Sequence, residues 1–170
     1  MNMKYTSAEA AKLLRRLNDD YYALISMEER SRDFLAAMGE DVESVRPEYD
    51  YEKTQEKLSE LEAQIRTVKH AINVFNSTHI VEGFDMTIDA MLIFIPQLSR
   101  RKEKLFVMKS RLPKVRENAY GRNTTIIDYR YINYDLAKVE EDYRKVSDLL
   151  AKAQTALDVV NTTATMEIDL

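Results

Sequence analysis

Between Tyr51 and Phe75 the residues Tyr51, Thr54, Leu58, Leu61, Ile65, Val68, Ile72 and Phe75 recur at alternating steps of three and four. That spacing draws one stripe along a helix and requires a second apolar surface to cover it. A matching seam, Leu136, Val139, Tyr143, Val146, Leu150, Ala153, Leu157 and Val160, follows at an offset of 85 residues. A chain with two such stripes must pack long helices side by side; at about 25 residues each spans roughly 37 Å.

Two further helices are expected. The first opens on the capping box Thr6-x-x-Glu9, in which the Thr hydroxyl accepts from the third helical amide and the Glu reaches back. Its seam Leu14, Leu17, Tyr21, Leu24, Glu28, Ser31, Leu35 and Met38 carries it to Met38, where Gly39 supplies a left-handed stop. Glu28 and Ser31 break that stripe, as register-setting or solvent-facing polar groups do. A polar connection with Pro47 leads to Asp50, the cap of the second helix, which is expected to stop at Asn76. His79–Val81 reads as a short extended segment closed by Gly83. Thr87 caps the third helix, with Met91, Leu98, Leu105 and Leu112 at seven-residue spacing, a kink expected at Pro96 and an end near Pro113. Residues 123–132 alternate as a strand with one packed face (Ile127, Tyr129, Tyr131) and one solvated face (Asp128, Arg130). Asn133 is the expected cap of the fourth helix and Asn161 its stop. The β-branched tail 162–170 is expected to pair with 125–132 or 79–81.

The two halves of the chain, about 1–85 and 86–170, align. Ala71, Val74, Asn76, Thr78 and Glu82 recur as Ala156, Val159, Asn161, Thr163 and Glu167, and Thr6, Leu17, Leu24, Met27 and Arg30 recur as Thr87, Leu98, Leu105, Met108 and Arg111. Each half reads as helix, connection, helix, short strand. The fold expected is therefore mainly α, an up-down bundle of four long helices with a small β element at one end, forming a single domain over 1–170. Three Gly and three Pro in 170 residues agree with this, and no Gly/Ser/Pro-rich linker divides the chain.

The site-bearing patterns are few. With no Cys the chain has no thiol catalysis, thiolate metal site or disulfide. Its two histidines, His70 and His79, lie outside Glu-x-x-His and His-x-x-x-His ligand spacings. No catalytic, cofactor-binding or metal-ligating residue is assigned, although a carboxylate site assembled between helices, using Glu28 for example, stays open. Tyr129, Arg130, Tyr131 and Tyr134, near Arg122, interleave aromatic and basic groups as single-strand binding platforms do, but a net charge of −4 argues against nucleic acid as a partner. The triplets starting at Asn76, Asn123 and Asn161 fit the N-glycosylation pattern but read as helix stops and strand starts. The N-terminus lacks a signal-peptide apolar region and no run is long enough for a membrane span, so a cytoplasmic location is the expectation. Ala90–Pro96 followed by Arg100, Arg101 and Lys102 could lie at a membrane surface.

Ile72-Asn73-x-x-Asn76, Thr87-Ile88-Asp89-Ala90-Met91-Leu92 and the Asn161-Thr162-Thr163 ending resemble a family of small bacterial helical proteins, some of which carry the name septicolysin. The family pattern has an Arg-Asp pair where this chain has Ile95-Pro96 and a Trp where it has Thr162. The resemblance implies a helical homo-oligomer, with a hexamer among its forms, and the name implies pore formation.

The residues themselves point to self-association. Tyr21, at the edge of the first seam, and Tyr22, Ile25, Phe94, Phe106 and Leu149, beside or outside the main seams, call for a partner, which places an interface on the first and third helices. The acidic stretch 40–62 and the basic stretch 100–122 complement one another and would steer assembly. The leading expectation is a non-enzymatic structural or interaction protein acting as a homo-oligomer. A membrane-active protein is the alternative, and an enzyme with a site between subunits is a third class.

Overall fold

In the computed structural model, which describes residues 2–117 and 127–170, the chain is mainly helical with small antiparallel strand pairs. Its order is β1 (Asn2–Thr6), α1 (Ser7–Ser31), α2 (Val42–Val45), α3 (Tyr51–Thr78), β2 (Ile80–Val81), β3 (Met86–Thr87), α4 (Ile88–Lys109), β4 (Lys114–Arg116), β5 (Tyr129–Tyr131), α5 (Leu136–Thr163) and β6 (Thr165–Asp169). Contacts divide it into two units, Met1–His79 with Val159–Leu170, and Ile80–Asp158.

In the first unit α1 and α3 form an antiparallel hairpin. Glu28 meets Gln55, Tyr21 meets Glu62, and Ala10, Leu13 and Leu17 share a core with Val68, so positions rise along one helix as they fall along the other. The capping box forms as expected: the Thr6 hydroxyl accepts from the Glu9 amide at 3.2 Å, and the Glu9 carboxylate accepts from the Thr6 amide at 2.9 Å. Its bonds from the Thr6 amide and hydroxyl hold the Glu9 carboxyl below its usual range. One face of the β1–β6 pair closes the core, with Met166 and Ile168 buried and Tyr5 packed beside them.

The second unit holds the β2–β3 hairpin, α4, the β4–β5 hairpin and α5 up to Asp158. Val81, Ile88, Met91, Leu98, Leu105, Val139, Val146, Leu150, Ala153 and Leu157 are buried, most of them at the positions the seams mark. Gly83 at φ +82° and Asp85 at φ +50° make the turn between β2 and β3.

Several expectations are corrected. The first helix ends at Ser31 rather than Met38. The partner helix begins at Tyr51, near the level of Glu28, so a longer α1 would run on without a surface to pack against, and propensity alone does not hold a helix. Gly39 does take a left-handed φ of +87°, but in a separate turn where the Glu40 amide donates to the Ala37 carbonyl. Asn76 and Asn161 do not stop their helices, which run to Thr78 and Thr163. There Ser/Thr hydroxyls donate to the Val74 and Val159 carbonyls, and no Asn has a positive φ among the described residues. Asp135, not Asn133, caps α5: its Oδ1 accepts from the Ala137 and Lys138 amides. The C-terminal tail pairs with the N-terminal strand rather than with 125–132 or 79–81, because its alternation turns Met166 and Ile168 into the α1–α3 core.

Candidate functional site

A large recess lies within the second unit, where α4 gives way to the β4–β5 hairpin. Pro113, which has no amide to donate, follows the last helical turn, and its carbonyl accepts from the Ile132 amide at 3.2 Å. That bond and the Lys114–Arg116 to Tyr129–Tyr131 pairing fold the hairpin back over the helix end. The Tyr134 hydroxyl donates to the Met108 carbonyl at 2.8 Å and fastens the approach to α5 to the same place. The recess is partly open to solvent and has a volume of about 730 Å³, within the range of small-ligand sites.

Its lining is mostly apolar, with Val107, Met108, Leu112, Val115, Tyr131 and Ile132, and also carries the charged Lys104, Arg111, Glu117 and Arg130. Arg130 is tied to Glu117 by an ion pair across the hairpin. Lys104 and Arg111 have no ion pair among the described residues. The cavity therefore favours an apolar group that carries, or sits beside, an anion. Among the described residues that line it, no pair is arranged as nucleophile and base, since the Glu117 carboxylate is engaged by Arg130. Among the described residues no three His, Cys, Asp or Glu gather as a metal site.

The interleaved aromatic and basic set is only partly brought together. Tyr129 and Tyr131 are exposed, as is Ile127, so the face expected to pack is solvated. The Lys114 ammonium covers both rings, 4.1 Å from the centroid of Tyr129 and 5.4 Å from that of Tyr131. Tyr134 points to the helix end instead, and Arg122 and the Asn123 triplet lie outside the described residues. His79 stacks on Phe75 with ring centroids 4.7 Å apart, and His70 is exposed.

Glu28, the polar break in the first seam, has a structural occupation. One of its carboxylate oxygens accepts from the Tyr49 hydroxyl at 2.6 Å and from Gln55 Nε2 at 2.7 Å. The bond to Glu28, aided by desolvation and by the negative charge, pushes the pKa of the Tyr49 hydroxyl up to about 12. The arrangement staples the end of the 32–50 connection to α1.

That connection carries a feature hidden from the sequence pattern, which places its first residues on a helix. Leu35 is 96% exposed and Met38 fully so. Glu40, Asp41 and Glu43 follow at once. The cavity is equally hidden, because its lining residues between 104 and 134 surround it only after the hairpin folds back; the one local signal is Pro113 at the end of a basic helix.

No protein-family model matches the sequence, and no curated protein matches it. In structure the chain is similar to a functionally unknown conserved protein from Corynebacterium diphtheriae, with a TM-score of 0.58 and 14% identity over 96% of this chain and 99% of that one. At that identity the likeness establishes a shared fold and nothing about activity.

Proposed function

We propose that this chain is a non-enzymatic interaction protein that assembles with further copies of itself, seating the apolar Phe34–Met38 segment of one copy in the α4–hairpin cavity of the next. The observation that carries the reading is the full exposure of Leu35 and Met38, two large apolar side chains left in solvent. Burying both contributes on the order of 3 to 6 kcal/mol before the cost of association. Charge supports the same match: Glu40 and Asp41 follow the segment, with Glu43 already paired to Arg46, while Lys104 and Arg111 line the cavity. Segment and cavity are different surfaces, so the contact is head-to-tail and must close into a ring to avoid open polymers. The bundle of four long helices expected from the seams belongs to the same proposal. Light scattering at micromolar concentration tests it. A multiple of 19.8 kDa that falls to the monomer on combining Leu35→Ser with Met38→Ser is expected. A monomeric wild type, or a double variant of unchanged mass, rejects it.

A second reading, membrane activity, draws on the exposed Leu92 and Ile93 of α4, about two turns before Arg100 and Arg101. No helix among the described residues is long and apolar enough to cross a membrane, so this reading is of surface attachment or a rearranged state. Dye release from anionic liposomes that is lost in Ile93→Ser favours it; intact liposomes at micromolar protein reject it.

A further inference from the structure

The second helices of the two half-sequences share bounds, and corresponding elements share caps and strand register although α4 and the β2–β3 strands are shorter than α1 and the β1–β6 strands. The helices α3 and α5 each have 28 residues and begin after Asp50 and Asp135, whose carboxylates accept from amides of the first turn. They end alike. Ser77 and Thr78 donate to the Val74 carbonyl at 3.0 and 2.7 Å, Thr162 and Thr163 donate to the Val159 carbonyl at 3.1 and 2.7 Å, and the amides of His79 and Ala164 close the last turns. At the other helix pair, Thr6 and Thr87 are both N-caps, and each accepts from the amide three residues on.

The strands go further. In the first unit Thr6 pairs with Thr165 and Tyr5 with Met166; in the second, Thr87 pairs with Ile80 and Met86 with Val81. Shifting one set by the offsets that align the helices reproduces the other. In both cases a strand leading into the first helix of one half pairs with the strand leaving the second helix of the opposite half. Neither half contains a complete β1–β6 or β2–β3 pair.

We infer that the chain is two copies of one β-α-α-β repeat fused end to end with their outer strands exchanged, so that the partner each half is built to bind is a second such repeat. Strand pairing and side-chain burial, not the Glu82–Asp85 link, hold the halves together. The core of the first unit shows why: Met166 and Ile168, from the second half, are buried among Ala10, Leu13, Leu17 and Val68 from the first. The link fixes the stoichiometry at one copy of each half. The residues in which the halves differ most lie between their helices, where one has the 32–50 connection and the other the β4–β5 hairpin and its cavity. Fusion has thus freed equivalent positions for different contacts.

The inference is independent of self-association, because it concerns strands within one chain. The test is to insert a specific protease site between the exposed Glu82 and Gly83 and to cut the folded, full-length protein. Both fragments are expected to elute together in equal amounts, at the mass and helical circular dichroism of the uncut chain. Fragments that separate, or lose their helix signal once cut, overturn the inference. Should the insertion itself disturb folding, a circular permutant that begins at Gly83, ends at Glu82 and joins Leu170 to Asn2 by a short flexible linker provides a second test. Asn2 and Asp169 are register partners, so the new connection is a hairpin equivalent to the β2–β3 turn. A permutant with wild-type helicity and cooperative unfolding supports strand exchange, whereas an unfolded one contradicts it.

Discussion

Ile168 stands third from the end of the sequence, where chains ordinarily fray and substitutions cost little. Here its side chain is 2% exposed, and it lies in a core with Ala10, Leu13, Leu17, Val68 and Met166. Ile168→Ala removes buried carbons and leaves a space bounded by two helices, which cannot readily collapse. Deletions of this kind cost about 2 to 5 kcal/mol, and near-total burial places this one at about 3. Leu170, two positions on along the same tail, is 44% exposed. Its loss to Ala should cost under about 1 kcal/mol. With a urea dependence of about 2 kcal/mol per molar, Ile168→Ala is expected to lower the denaturation midpoint by about 1.5 M, roughly three times the shift of Leu170→Ala or more. Equal small shifts in the two variants would show that the tail is not docked and would refute the packing described for β6.

Three other outcomes follow from the capping and charge geometry. Asp135→Ala should destabilise by about 1 kcal/mol while Asn133→Ala leaves the urea midpoint within error, because the Asp135 carboxylate is the group that accepts from the first turn of α5. Glu9 has a depressed folded pKa, so its contribution is full above its unfolded pKa of about 4.3 and is lost as pH falls further. Glu9→Gln should therefore be less stable than wild type near neutrality and lose less on acidification, as read from urea midpoints against pH. Tyr49 has a raised folded pKa, so the sign reverses: its contribution is full below its unfolded value near 10 and declines as pH rises towards about 12. The ultraviolet difference spectrum between wild type and Tyr49→Phe should show this tyrosine ionising above the ordinary range, and Glu28→Gln should bring it down.

The long helices are legible in the sequence because their cause is local. Seam residues such as Leu58, Val68, Val146 and Leu157 recur at the helical period, and Thr6, Asp50 and Thr87 announce their helix starts through short polar side chains. Where a segment ends depends on what lies opposite, and that is not local. Leu35 and Met38 extend the first seam in sequence, yet no helix among the described residues covers them. Asn76 and Asn161 suit left-handed stops, but the helices run two residues past them and close on the His79 and Ala164 amides without a left-handed residue. β1 has no such local signal. Asn2–Thr6 is short and half polar, and its strand character comes from Thr165–Asp169 at the far end of the chain. The cavity is illegible for the same reason, since its walls meet only once Pro113 and the hairpin turn the chain back.

The β1–β6 pairing closes the core of the first unit, and a cross-link between the two strands tests it directly. The protein has no cysteine, so Lys4→Cys with Glu167→Cys creates the only two thiols. These positions are register partners in β1 and β6, and antiparallel partners lie about 4.5 to 5.5 Å apart at Cα, inside the disulfide range. Mild oxidation of the folded double variant at low concentration is expected to give an internal disulfide joining the two terminal peptides in mass spectra. Thiols that stay free, in a variant with the wild-type helical spectrum, would contradict the exchanged-strand fold.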